Sequence, residues 1–327
     1  MTYPGRPEGG AVTTGASSDQ WSDSDPWTVL RLILWSAEYL TQKGVSSGRL
    51  DAEHLLAHVL GVSRLQLYLE FERSLTVDEL DGFRPLLKRR AAREPLQYII
   101  GQQPFRELEL KVCPGVLIPR PETEQLVDVV LEWIAGSSID RPTILDVGTG
   151  TGAIGLSLAM EARAVVVATD VSGAALEVAR ENREAADLTD TVALHLGSLF
   201  EPLDDNARFD VIVSNPPYVA EVDEDALEPE VRDWEPRGAL FAGADGLDVI
   251  RSLVAGAARY LRTGGLLALE VGSGQAGTVA PLLEAAEGYT AVRIRRDHAG
   301  IERFVLAHGA MNHDGVSGWP APSTGDV

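Results

Sequence analysis

A mainly parallel α/β sheet with helices on both faces is the fold class predicted for residues 121–308 of this 327-residue chain. Three observations predict it. Seven short apolar runs alternate with helical patterns; a glycine-rich turn, Asp146-Val147-Gly148-Thr149-Gly150-Thr151-Gly152, follows the first run; Asn215-Pro216-Pro217-Tyr218 closes the fourth.

Residues 1–25 are rich in Gly, Ser, Thr and Pro without apolar periodicity, which predicts a disordered tail. From Pro26 the pattern becomes helical. Leu30, Ile33, Leu34 and Ala37 share one face, Ala52, Leu55, Leu56, Val59 and Leu60 share another, and Gly61 is a stop. Thr76-Val77-Asp78-Glu79 has the pattern of a capping box, opening a helix that runs towards Arg93 and ends by Pro95. Residues 26–94 are thus expected to form a small helical domain. Lys88-Arg89-Arg90 fits the solvated C-terminal end of its last helix, where cations favour the dipole. His54 and His58 share a helix face without a third ligand, so no metal is expected.

Residues 95–120 read as a linker with a β-hairpin. Leu108, Leu110 and Val112 alternate with polar residues, Pro114-Gly115 supplies a turn, and Val116-Leu117-Ile118 returns. Next, Pro119-Arg120-Pro121-Glu122-Thr123-Glu124 leads into a helix through Val127, Val130, Leu131 and Ile134. Its glutamates suit a helix N-terminus; alternatively, the loop closes one side of a cofactor pocket.

Strands are expected at 143–145, 164–169, 192–195, 209–213, 266–269, 291–294 and 303–307. Helices are expected at 153–160, 174–186, 247–261 and 276–286. The last two strands lack an intervening helix, which predicts an antiparallel edge hairpin. Residues 309–327 show no apolar pattern and read as a flexible tail.

Charge and composition exclude some functions. With 49 acids against 28 bases the net charge is −21, which disfavours a nucleic-acid partner because phosphates dominate that affinity. No apolar run approaches a membrane span and no targeting pattern opens the chain, so a soluble, cytoplasmic protein is expected; a monomer is the default expectation, with the oligomeric state left open by the sequence. The single Cys113 sits in a turn and excludes an intramolecular disulfide.

The chemistry lies in the glycine turn and in Asn215 to Tyr218. Glycines between a strand and a helix allow close backbone approach to a ligand. Gly150 to Gly155 also satisfies G-x-G-x-x-G, the dinucleotide signature. Asp146 argues against that cofactor: a carboxylate at the mouth of the loop repels a pyrophosphate but suits the ammonium and sulfonium of S-adenosylmethionine. Asp170 lies roughly 20 residues beyond the glycines, where an acid accepts ribose hydroxyls. In Gly197-Ser198-Leu199-Phe200, Ser198 is placed to touch the adenine edge and Leu199 its face, or the two serve as loop packing. Asn-Pro-Pro-Tyr alone is ordinary loop punctuation; its place at a strand end points to a ligand. The Asn215 side-chain carbonyl and the Pro216 backbone carbonyl can each accept an N–H of a planar amide or amine, and the Tyr218 ring can stack.

These residues resemble the HemK-like family of class I methyltransferases, the peptide-chain release factor glutamine-N5 methyltransferases. The likeness runs from about residue 26 to 307 and includes 94–99, Gly101, Phe105, 116–124, the glycine turn, 215–218, Glu235-Pro236, 239–243, Asp245-Gly246 and Glu270-Val271-Gly272. It implies a Rossmann-like seven-stranded sheet, an N-terminal domain that docks the release factor, and methylation of the glutamine in its Gly-Gly-Gln loop. Carried over by position, Gly148, Thr149, Gly150, Thr151, Gly152, Asp170 and Leu199 line the cofactor site, and Asn215, Pro216, Pro217 and Tyr218 hold the glutamine. An acidic residue is usual in the family where Ser198 stands. Alternatives are a ribosomal-protein glutamine, the N6 amine of adenine in nucleic acid, or a non-enzymatic ribosome-associated binding module.

Overall fold

The computed structural model describes residues 26–310. The tail expected at 1–25, and that beyond 310, lie outside the described residues. Two compact units divide the chain, one ending at Ala91 and the other starting at Ala92.

In the first unit, helices α1 (Val29–Gln42), α2 (Gly48–Leu60), α3 (Arg64–Leu69) and α4 (Val77–Ala91) bury Ile33, Leu40, Leu55, Leu56 and Phe83. Each such side chain contributes about 1.5–3 kcal/mol on burial. The capping box forms in both directions: the Thr76 N–H donates to Glu79 Oε2 at 2.8 Å, and the Glu79 N–H to Thr76 Oγ1 at 3.3 Å.

Two expectations need correction. The buried face of α1 is Val29, Leu32, Ile33, Ser36 and Leu40, while Leu34 is 41% exposed. The run from Val29 to Trp35 is apolar at every position except Arg31, so spacing alone does not choose a face. Arg90 is not solvated. Its Nε donates to Asp51 Oδ2 at 2.7 Å, and both side chains are 6% exposed. Helix α3, six residues long, is too short for periodicity to reveal; Ser63 and Gln66 cap it reciprocally.

The second unit opens with α5 (Leu96–Ile100) and an antiparallel hairpin, β1 (Gln102–Phe105) with β2 (Leu108–Lys111). The hairpin partner therefore precedes Leu108 instead of following it. Val116 and Ile118 are buried beside Tyr98, Val112, Ala175 and Val178 without pairing as a strand. The dipeptide Arg106-Glu107 makes the tight turn, with Arg106 held at φ 52. Its guanidinium is fixed by Glu161 at 2.6 Å and Asp128 at 2.7 Å.

Then follow α6 (Pro121–Gly136), β3 (Thr143–Val147), α7 (Ala153–Glu161), β4 (Val165–Asp170), α8 (Gly173–Ala185), β5 (Val192–Leu196) and β6 (Phe209–Ser214). After a 3-10 turn (Glu221–Ala226) come α9 (Pro229–Arg232), α10 (Arg237–Leu240), α11 (Asp248–Tyr260), β7 (Leu261–Glu270), α12 (Ala276–Ala285), β8 (Tyr289–Arg296) and β9 (Glu302–Gly309). Pro121 occupies the first turn of α6, where its missing N–H costs nothing.

The seven-stranded sheet has the order β5-β4-β3-β6-β7-β9-β8. Neighbours are parallel except around β9, which runs antiparallel to both β7 and β8. The expected edge hairpin is thus formed. One apolar cluster, including Ile144, Leu158, Val166 and Val213, packs one face; another, with Leu145, Ile212, Leu253 and Leu267, packs the other. All of β6 is buried, as expected for a central parallel strand. Among the described residues no helix is long and apolar enough to cross a membrane.

The chain runs β3, β4, β5 outward and then returns to lay β6 on the other side of β3. Strand order therefore reverses between β3 and β6, and the carboxyl ends of these strands frame the crevice where open α/β sheets bind ligands.

Candidate active site

At that switch point lies a cavity of about 560 Å³. The glycine turn leaves β3 into it, and Asn215 to Pro217 leave β6 into it. Ser214 Oγ donates to the Val147 carbonyl at 2.7 Å, tying the two strand ends together.

Gly148, Gly150 and Gly152 have φ of 73, 57 and 88°, a left-handed region that a Cβ disfavours. A Cβ on Gly152 would also stand 2.8 Å from Leu156 Cδ1. Gly148, Thr149, Gly150 and Thr151 line the cavity. Asp146 does not. It is fully buried behind the turn, where its Oδ2 accepts from Thr149 Oγ1 at 2.6 Å and from the Gly155 N–H at 2.9 Å. Burial pushes its carboxyl up to about 6 against those two bonds. The expected carboxylate at the mouth of the loop is instead a brace beneath it.

Asp170 ends β4 on the cavity wall. Its Oδ2 accepts from the Gly150 N–H and its Oδ1 from the Ser172 N–H, each at 2.8 Å. Each oxygen keeps lone-pair capacity for a ligand hydroxyl. Ser198 and Leu199 also line the cavity. Leu199 is held at φ 50, and its carbonyl accepts from Thr169 Oγ1 at 3.0 Å. Ile154 and Ala175 add apolar wall.

Buried Asn182 on α8 connects this turn to the hairpin. Its Nδ2 donates to the Thr151 carbonyl at 2.9 Å and to the Lys111 carbonyl at 3.2 Å, while its Oδ1 accepts the Lys111 N–H at 2.7 Å.

On the opposite wall stand Asn215, Pro216 and Pro217. Asn215 Nδ2 donates to Thr123 Oγ1 at 3.0 Å, and Thr123 Oγ1 donates to Glu270 Oε2 at 2.8 Å. Tyr218 is not on the wall. Its carbonyl accepts from Gln275 Nε2 at 2.9 Å, and its ring lies so close to Gly272 that a Cβ there would sit 3.1 Å from Tyr218 Cδ2. Burial pushes its phenol up to about 12.

Further residues complete the enclosure, some from the loop expected to close one side of the pocket and others without an assigned role. Gly115, Val116, Leu117, Pro119, Arg120 and Thr123 close one side, so the Pro-Arg-Pro-Glu-Thr-Glu loop does border the cavity. Arg120 is ion-paired with Glu235, which is buried. Pro236, Gly238 and Ala239 around α10, and Asp248, Val249 and Ser252 of α11, close another side. The helices α9 and α10, four residues each, carry no periodicity; Glu235-Pro236 and 239–243 stand out only through the family resemblance.

Comparison with known proteins agrees with this architecture. Residues 31–101 match the family model described as PrmC N-terminal domain, and residues 127–230 match that of the methyltransferase small domain. The release factor glutamine methyltransferase of Rhodopirellula baltica is 40% identical over 287 residues, spanning 87% of this chain and 97% of its own. That of Geobacter sulfurreducens is 44% identical over 280 residues, spanning 85% and 96%. Among solved structures, the hMettl16 catalytic domain in complex with MAT2A 3′UTR hairpin 6 shares 19% identity and a TM-score of 0.52, over 70% of this chain and 83% of that one. At that identity the likeness concerns the fold alone.

Proposed function

The chain belongs to the release factor glutamine methyltransferase family, and from that premise we propose that it methylates the side-chain nitrogen, N5, of the glutamine in a release factor's Gly-Gly-Gln loop, with S-adenosylmethionine as donor. The orientation of Asn215 carries this reading. Because its NH2 group is engaged by Thr123, its carbonyl oxygen is the end left to accept an N–H from a substrate amide.

A carboxamide nitrogen is a weak nucleophile because its lone pair is delocalised. Asn215 Oδ1 and the Pro216 carbonyl, accepting one N–H each, hold the amide with its π face towards the donor. Positioning and electrostatics then supply the acceleration. The bound donor supplies a methyl group on a sulfonium; the C–N bond forms as the C–S bond breaks, a neutral thioether leaves, and the nitrogen sheds one proton to solvent.

The residues present fit that donor. The cavity is of nucleoside-ligand size. Asp170 is offered to the ribose, the glycine turn to the amino-acid end, and Leu199 with Ile154 to the adenine faces, with Ser198 at its edge. Asp146 supports the turn from below. Tyr218 acts through its backbone carbonyl, held by Gln275, instead of through ring stacking. In this reading the helical unit docks the release factor in the cytoplasm.

Mass spectrometry tests the substrate. A release factor and a ribosomal protein, each incubated with the protein and donor, are expected to show a single-methyl gain on the Gly-Gly-Gln peptide and none on the ribosomal protein. A gain on the ribosomal protein alone overturns the assignment.

A further inference from the structure

The Asn215–Thr123–Glu270 chain joins three segments far apart in sequence: the end of β6, the first turn of α6 and the end of β7. Thr123 is 4% exposed and Glu270 1%, so water does not compete for these bonds. We infer that Thr123 and Glu270 are positioning residues that decide which end of the Asn215 side chain faces the substrate, an assignment that rests on the glutamine-methylating reading above.

Proton counting carries the argument. A threonine hydroxyl has one proton to give, and an ionised carboxylate can only accept. With Glu270 ionised, the Thr123 proton goes to Glu270 Oε2, which leaves Thr123 Oγ1 as an acceptor. Only the NH2 end of Asn215 can satisfy it. The Asn215 carbonyl is then turned towards the substrate, where it accepts an amide N–H. With Glu270 protonated, the chain can run backwards: the carboxyl donates to Thr123, Thr123 donates to the Asn215 carbonyl, and the NH2 group faces the substrate. Two amide donors then confront each other, and the substrate glutamine keeps only the Pro216 carbonyl of its two acceptors.

The switch lies in the neutral range. Burial lifts the Glu270 carboxyl to about 7, opposed by the Thr123 hydrogen bond and by the positive charges of Arg303 on β9 and Arg120 before α6, and assisted by Glu122 on α6. Glu270 is ionised above that value, so turnover should fall as pH drops through about 7.

The experiment combines kinetics with nuclear magnetic resonance. Thr123→Val removes the hydroxyl at nearly constant volume. Its kcat is expected to fall about 10-fold or more, the usual effect of removing one partner of a buried hydrogen bond, with donor affinity nearly unchanged. Thr123→Ser should restore most of the loss, and Glu270→Gln should flatten the pH profile near 7. Independently of any substrate, the Asn215 side-chain NH2 resonances, assigned by their loss in Asn215→Ala, should titrate in the wild type and not in Glu270→Gln. Wild-type turnover in Thr123→Val, parallel loss of turnover and donor binding without rescue by serine, or Asn215 resonances that do not titrate would each overturn the inference. If the wild type leaves the release-factor glutamine unmethylated, the substrate reading fails while the resonance titration still decides the relay.

Discussion

The two walls of the cavity are built by different means. On the glycine-turn wall the bonds are local: Asp146 reaches Thr149 three residues on and Gly155 nine on, and Asp170 reaches Gly150 across 20 residues. On the Asn215 wall, one bond spans 92 residues and the next 147. A local wall is made by backbone conformation and forms with its own strand–turn–helix unit. A long-range wall exists only once α6, β6 and β7 are packed together. The first should therefore govern donor affinity, and the second turnover.

The strongest test of this division is Asn215→Ala. Loss of one preorganised contact typically lowers turnover about 10²–10³-fold, and donor affinity by calorimetry should change by no more than a few-fold. Near-normal turnover at saturating donor and substrate would mean that other groups align the amide. On the opposite wall, Asp170→Ala should raise the donor Kd about 10–100-fold through lost charge-assisted bonds while kcat at saturation changes less. If kcat falls as much as affinity, the walls are not separable.

A smaller effect probes the backbone itself. Gly152→Ala meets both φ 88 and the Leu156 side chain, which should cost about 1–3 kcal/mol in denaturant unfolding. It should also weaken donor binding. The response of Asp146 to pH in the donor-free protein changes stability alone. Its carboxyl is raised from 3.8 to about 6, so the folded state holds a proton that the unfolded chain releases earlier. That contribution is fully present below 3.8 and lost as pH rises through about 6. Asp146→Asn keeps an acceptor for Thr149 and Gly155, and should remove this slope, about 3 kcal/mol for a carboxyl raised by about two pH units. An unchanged slope would assign it to another group.

The same division explains what was legible in the sequence. Alternating apolar runs and helical patterns mark the parallel sheet, because buried strands and amphipathic helices have distinct periods. The hairpin was misplaced because Gln102-Gln103-Pro104-Phe105 carries neither alternation nor a β-branched residue, whereas 116–118 looks like a strand and is apolar for packing. Gly148 to Thr151, Asp170, Ser198, Leu199 and Asn215 reach the cavity because each follows the carboxyl end of a parallel strand. Asp146 was seen but set on the wrong side of its turn, since sequence does not say which way a strand-end side chain points. Asp248 and Ser252 carry no local site signal because strand order, not local pattern, brings α11 to the crevice, whereas Arg120 and Thr123 are covered by the expectation that their loop closes one side of the pocket. Glu270 stood out only through the family resemblance.

Asn182 has a consequence for how the hairpin meets solvent. A side-chain amide offers the same donor and acceptor as a peptide group, so by binding both the N–H and the carbonyl of Lys111 it stands in for a third strand at the free edge of β2. A two-stranded ribbon is marginal by itself in water, and its open edge invites pairing with another chain. Here one side chain closes that edge at its last residue. The same amide grips the Thr151 carbonyl, so one side chain ties the edge of the hairpin to the glycine turn.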